Sequence, residues 1–216
     1  SPCLGYASNK KVEDTAPFFL MENKVNTIAY DLNFIQNNLF EYLKTKSGVI
    51  LDNSMKYEHT NQYDLIITSP PYMNGLDYVI NYKIEMGWLN FVHSQKDLKE
   101  IKNKMVVCDN VSKDLIRNHE AIYTNDWIEE IKSNIHTNIN KRGSYRRLDM
   151  PGIVHKYFDD MYKVMRNVSQ AMKIGSRFIQ VVGDSLIADV YVPTDLLLAK
   201  IGKELGLIVE KIEKAR

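Results

Sequence analysis

Ser69, Pro70, Pro71 and Tyr72 follow a short apolar run, Leu65 to Ile67, that reads as a buried parallel strand. Neither proline can donate to a sheet ladder, so the strand must stop there. Two successive rings stiffen the backbone and hold the residue ahead of each extended, which aims the carbonyls of Ser69 and Pro70 in fixed directions at the carboxyl edge of the sheet. Open α/β sheets bind ligands at that edge. Acceptors so placed suit methyl transfer to an exocyclic amine. The lone pair of an aromatic amine is delocalised into its ring, and N–H bonds to the Ser69 side chain and the Pro70 carbonyl favour localising it. Tyr72 offers a flat face on which a flipped base can stack.

Thr68-Ser69-Pro70-Pro71-Tyr72 resembles motif IV of the amino-group DNA methyltransferases, which modify N4 of cytosine or N6 of adenine. The resemblance implies a doubly wound, mostly parallel sheet of the Rossmann-like methyltransferase kind, S-adenosylmethionine as cofactor, double-stranded DNA as partner and a restriction-modification setting. In that family Ser at the first motif position leans toward N4 of cytosine, which is the expected target, with N6 of adenine as the alternative. Catalytic roles are implied for Ser69, Pro70, Pro71 and Tyr72, with Ser69 also beside the cofactor. The expected mechanism is a direct in-line transfer without a covalent enzyme intermediate, and Cys3 and Cys108 lie outside any motif.

The elements before the corner repeat its grammar. Thr27 to Tyr30 reads as a strand ending at Asp31, followed by an amphipathic segment from Asn33 to Lys46. Ala29-Tyr30-Asp31-Leu32-Asn33 looks like family motif II, with Asp31 as the ribose ligand; helix capping is its plain alternative. Gly48 to Leu51 reads as another strand, with Asp52, then Asn53, as the candidate against the cofactor's adenine, beside the plain reading of a turn. The three polar tips are expected along one sheet edge. The family's glycine-rich cofactor loop is missing from the first residues, where Gly5 stands alone. Both ends read as trimmed, so that loop falls to further domains or a partner subunit, and a non-catalytic, partner-dependent subunit is the competing reading.

Past the corner, Asn74, Asp77 and Tyr78 sit close enough in sequence to line the mouth of the site, and residues 93–150 read as an inserted, mainly helical subregion of a single 1–216 domain. From Lys132 to Arg147 the chain is basic without an acidic residue. On a flexible loop, Arg142, Arg146 and Arg147 suit phosphate contacts, and a solvated loop is the competing explanation. Ile153 to Lys173 has a helical repeat, and Ser176 to Ser185 reads as a strand whose tip residues, Asp184 and Ser185, are implied by the resemblance to border the target base. Pro193 starts a helix that Gly206 ends, and Leu207 to Glu210 reads as a last strand.

Composition frames these expectations. A chain of 216 residues with 44% apolar and 25% charged residues can bury one sizeable α/β core. A net charge of +1 means that any nucleic-acid contact must come from a local patch. No apolar run has the length of a membrane span, no signal peptide is evident, and no Cys/His spacing calls for a metal, so a cytoplasmic protein without a metal is expected.

Overall fold

The computed structural model describes residues 15–58, 62–73, 77–108 and 111–214. The chain divides into two units, Ser1–Leu51 and Asp52–Arg216.

In the first unit a single helix, α1, runs over Ala16–Asn38, with Pro17 in its opening turn, and a 3₁₀ turn follows at Phe40–Lys44. The strand expected over Thr27 to Tyr30 is therefore helical, and Asp31 lies on a helix rather than at a strand tip. The physical reason is continuity. Between Pro17 and Asn38 no glycine or proline interrupts the chain, and a short apolar run inside such a stretch propagates the helix already nucleated before it. No residue of α1 is buried, and Phe18, Phe19, Leu20 and Met21 are each more than half exposed. Gly48 to Leu51 is not a strand either. With no ladder to hold it, Val49 and Leu51 are fully exposed.

The second unit places strand β1 (Tyr63–Thr68) parallel to β2 (Met172–Gln180), with Leu65 opposite Arg177 and Thr68 opposite Gln180. This is a mixed α/β arrangement with a parallel pair. The other strands expected for a doubly wound sheet do not form among the described residues. Between the paired strands come α2 (Tyr78–Asn81), α3 (Lys83–Trp88), α4 (Gln95–Asn103), α5 (Lys113–Arg117), α6 (Asp126–Arg142) and α7 (Met150–Ala171). Helix α4 opens on a capping box between Ser94 and Asp97, and α6 opens on the Asn125 cap and closes on Gly143 at φ 69°. Those two signals make Lys132, Lys141 and Arg142 helical, correcting the flexible loop expected there.

The core lies between α6 and α7. Ile128, Ile131, Ile135 and Ile139 form a buried stripe on α6, and α7 answers with Ile153, Val154, Tyr157, Phe158, Met161 and Met165. Two carboxylates are buried within this layer. Asp159 accepts from Nε2 of His119 (2.9 Å), the N–H groups of Ile122 (2.8 Å) and Tyr123 (2.9 Å), and Lys163 (2.6 Å). Asp160 accepts from the Val107 N–H (3.1 Å) and Lys156 (2.8 Å). Together they tie the chain that precedes α6 onto α7.

Helix α7 passes into β2 without a loop. A hairpin follows, β3 (Ser185–Ile187) and β4 (Val190–Val192), and α8 (Thr194–Glu204) closes the unit. The strand expected from Leu207 does not form. The Leu207 N–H instead returns to the Gly202 carbonyl (2.9 Å) and that of Gly206 to Lys203 (3.1 Å), a C-terminal cap that takes the first donor a strand would need. Among the described residues no helix is long and apolar enough to cross a membrane.

Candidate functional site

β1 delivers the diproline corner to the edge of the parallel pair. The Val181 N–H donates to the Thr68 carbonyl at 2.9 Å, so the ladder runs up to the residue before Ser69. There Ser69 is exposed, Pro70 buried and Pro71 half-buried. Tyr72 keeps 37% of its surface open, whereas Met73 is wholly buried in the core cluster, so the chain dives inward immediately after presenting its ring. The corner is thus anchored on both sides while its hydroxyl and its aromatic face reach solvent.

Two residues outside the motif hold it. The Tyr157 hydroxyl donates to the Pro71 carbonyl at 3.1 Å from below. Gly183, just past β2, lies so close to the Tyr72 ring that a Cβ there would sit 3.3 Å from Cδ2 and 3.4 Å from Cε2. Nothing local in the sequence points to either. Tyr157 reads as one more apolar position of α7, and its partner is 86 residues away.

Beside Pro71 opens a shallow cleft lined by Asp77, Tyr78, Lys102, Met105, Val107 and Cys108. Asp77 forms an ion pair with Lys102, both side chains being largely covered, and also caps α2 by accepting from the Ile80 N–H at 3.1 Å. Tyr78 keeps 38% of its surface exposed. Asn74 lies outside the described residues.

Past β2, Asp184 accepts from the Tyr191 hydroxyl (2.5 Å) and the Asp195 N–H (3.4 Å). Burial pushes its carboxyl up, but those bonds outweigh it and hold the group below the usual carboxylate range; the same bond to Asp184 pushes the Tyr191 phenol up to about 12. Ser185 is buried, and its Oγ has no hydrogen-bond partner among the described residues.

The amide of Asn53 donates to the Lys104 carbonyl (3.1 Å) and accepts from the Met55 N–H (3.0 Å), and the Asp52 carboxylate accepts from the N–H of its neighbour Asn53 (2.6 Å). Asp31 lies on α1 of the first unit, and in the second unit the Asp52 and Asn53 side chains close a turn.

The basic residues differ among themselves. Arg147 is held by Asp149 and by the Val111 carbonyl and is only 14% exposed, which removes it from the expected phosphate contacts. Arg142 pairs with Asp189 at the surface and lies over the Tyr145 ring. Arg146 is exposed.

Known proteins supply the last observation. The chain is similar to the Type II methyltransferase M.AvaI of Nostoc sp., with 31% identity over 196 residues, and equally to the protein of that name from Anabaena variabilis. It is also similar to the Type II methyltransferase M.BsoBI of Geobacillus stearothermophilus, with 24% identity over 176 residues. The matches cover 85% and 74% of this chain but only 39% and 34% of those proteins, so the chain spans well under half the length of the relatives it matches. No protein-family model and no solved structure matches it.

Proposed function

Because this chain is a relative of Type II methyltransferases, we propose that it carries the catalytic corner of a DNA methyltransferase acting on the exocyclic amine of a flipped base, N4 of cytosine before N6 of adenine. The observation that carries the reading is the geometry at the end of β1: an exposed Ser69, a covered Pro70 and a partly open Tyr72 ring, all on a backbone with little freedom. Ser69 Oγ and the Pro70 carbonyl accept from the target amine and localise its lone pair, and Tyr72 stacks the base. Ser at the first motif position supports cytosine. S-adenosylmethionine is the donor this reading implies, and it supplies an electrophilic methyl group.

The rest of the proposal follows from it. Tyr78, Asp184 and Ser185 border the base. Arg142 and Arg146, both exposed, supply phosphate contacts of the kind that position a duplex without reading it, and residues 93–150 are an insertion. β1 and β2 belong to a Rossmann-like sheet, and the protein works in the cytoplasm as the modification arm of a restriction-modification pair.

Incubation of the intact protein with unmethylated DNA and S-adenosylmethionine, followed by nucleoside mass spectrometry, tests this. N4-methylcytosine is the expected product. N6-methyladenine would correct the base, and absence of any methylated nucleoside would remove the proposal. Ser69→Ala should lower turnover by about 10²-fold, the scale of one lost preorganised hydrogen bond, with DNA affinity unchanged.

A further inference from the structure

We infer that Tyr157 is a positioning residue for the diproline corner, its buried hydroxyl setting the last free backbone torsion before Tyr72. The inference rests on the methyltransferase reading above. From Ser69 to Tyr72, ring closure fixes φ of Pro70 and of Pro71, and the ψ angles of Ser69 and Pro70 are held extended because a proline follows each. Only ψ of Pro71 is left. That torsion turns the Pro71 carbonyl and, through the planar peptide, the direction in which the chain leaves toward Tyr72.

The Tyr157 hydroxyl donates to that carbonyl at 3.1 Å. Its own position is fixed, because the side chain is fully buried in the middle of α7 and its ring meets Phe158 edge-on at 5.3 Å and 83°. Burial pushes the phenol pKa upward, which keeps the proton on the donor. Gly183 lies close to the Tyr72 ring, a Cβ there falling 3.3 Å from Cδ2. Tyr72 is thereby placed by a hydrogen bond at the residue before it and by the close approach of Gly183 to its ring.

Tyr157→Phe in the intact protein keeps the ring and removes only the hydroxyl. The expected result is a fall of about tenfold in single-turnover methyl transfer, the equivalent of one ordinary hydrogen bond. KM for DNA and Kd for S-adenosylmethionine should stay within about twofold, measured well below the melting temperature. Gly183→Ala, which presses on the same ring, should also slow transfer, and the double variant should lose less than the product of the single losses. A Phe variant that melts earlier yet transfers methyl at the wild-type rate makes the hydroxyl purely structural and overturns the inference, as does full multiplicative loss in the double variant. Wild-type protein that methylates no DNA defeats the underlying reading instead, and the inference falls with it.

Discussion

Helix α7 and strand β2 are one continuous stretch of chain, yet they meet solvent in opposite ways. Twelve residues of α7 are buried, including two carboxylates, while β2 has none and its Ile174 is fully exposed. Strand β1 likewise buries no residue, and Leu65 and Ile67 are more than half exposed. Parallel strands are ordinarily covered on both faces, so the pair departs from its class while α6 and α7 conform to theirs. The lesson is that the helical layer holds its own shape, whereas the strands are placed by what they are attached to: the ladder between them, α7 behind β2, and the Tyr157 hydroxyl under the corner.

Four measurements break or sharpen that contrast. The largest effect is expected from Asp159→Ala, which strips a fully buried carboxylate from His119, Lys163 and two backbone donors. It should cost about 3–5 kcal/mol in urea unfolding, and a loss below about 1 kcal/mol would mean that the layer is not organised around this group. Ile135→Ala, in the fully buried stripe of α6, should cost about 2–5 kcal/mol.

Acid should act next, and through the same carboxylate. Burial pushes the Asp159 carboxyl up, but hydrogen bonds from Lys163, His119 and the Ile122 N–H pull it further down, so it lies below its ordinary value. Its stabilisation is then complete above the unfolded-state value of about 3.9 and is lost as pH falls through the lower folded value. Urea midpoints should therefore fall on acidification below about pH 4, with a flatter profile in Asp159→Ala. The smallest effect belongs to the strands: Ile67→Ala should change stability by less than about 0.5 kcal/mol. A large loss there would show that β1 is covered in solution and would erase the contrast.

What the sequence disclosed follows the same division between local and distant causes. The end of β1 was legible because two prolines act on their own neighbours, α7 from its repeat, and α8 from the Pro193 start and the Gly206 stop. Thr27 to Tyr30 is helical although it reads as a strand, because four residues, three of them apolar, do not distinguish a strand from part of a helix; an uninterrupted chain from Pro17 decides the matter. The β3–β4 hairpin gave no signal at all. Its turn residues Ala188 and Asp189 take φ of 48° and 63° without a glycine, and the turn is held from afar by Asn138, which donates to the Ala188 carbonyl, and by the Tyr145 hydroxyl, which accepts the Ala188 N–H. At the candidate site the motif was readable and its supports were not, since Tyr157 and Gly183 reach it only through the fold.

One consequence of the unbroken passage from α7 into β2 is evolutionary. A single rod carries both the hydroxyl beneath the corner and the strand alongside it, so the spacing of those parts does not depend on the path the chain takes from α2 to α6. Insertions and deletions on that path that leave the Val107, Ile122 and Tyr123 N–H groups on Asp160 and Asp159 should leave the corner where it is.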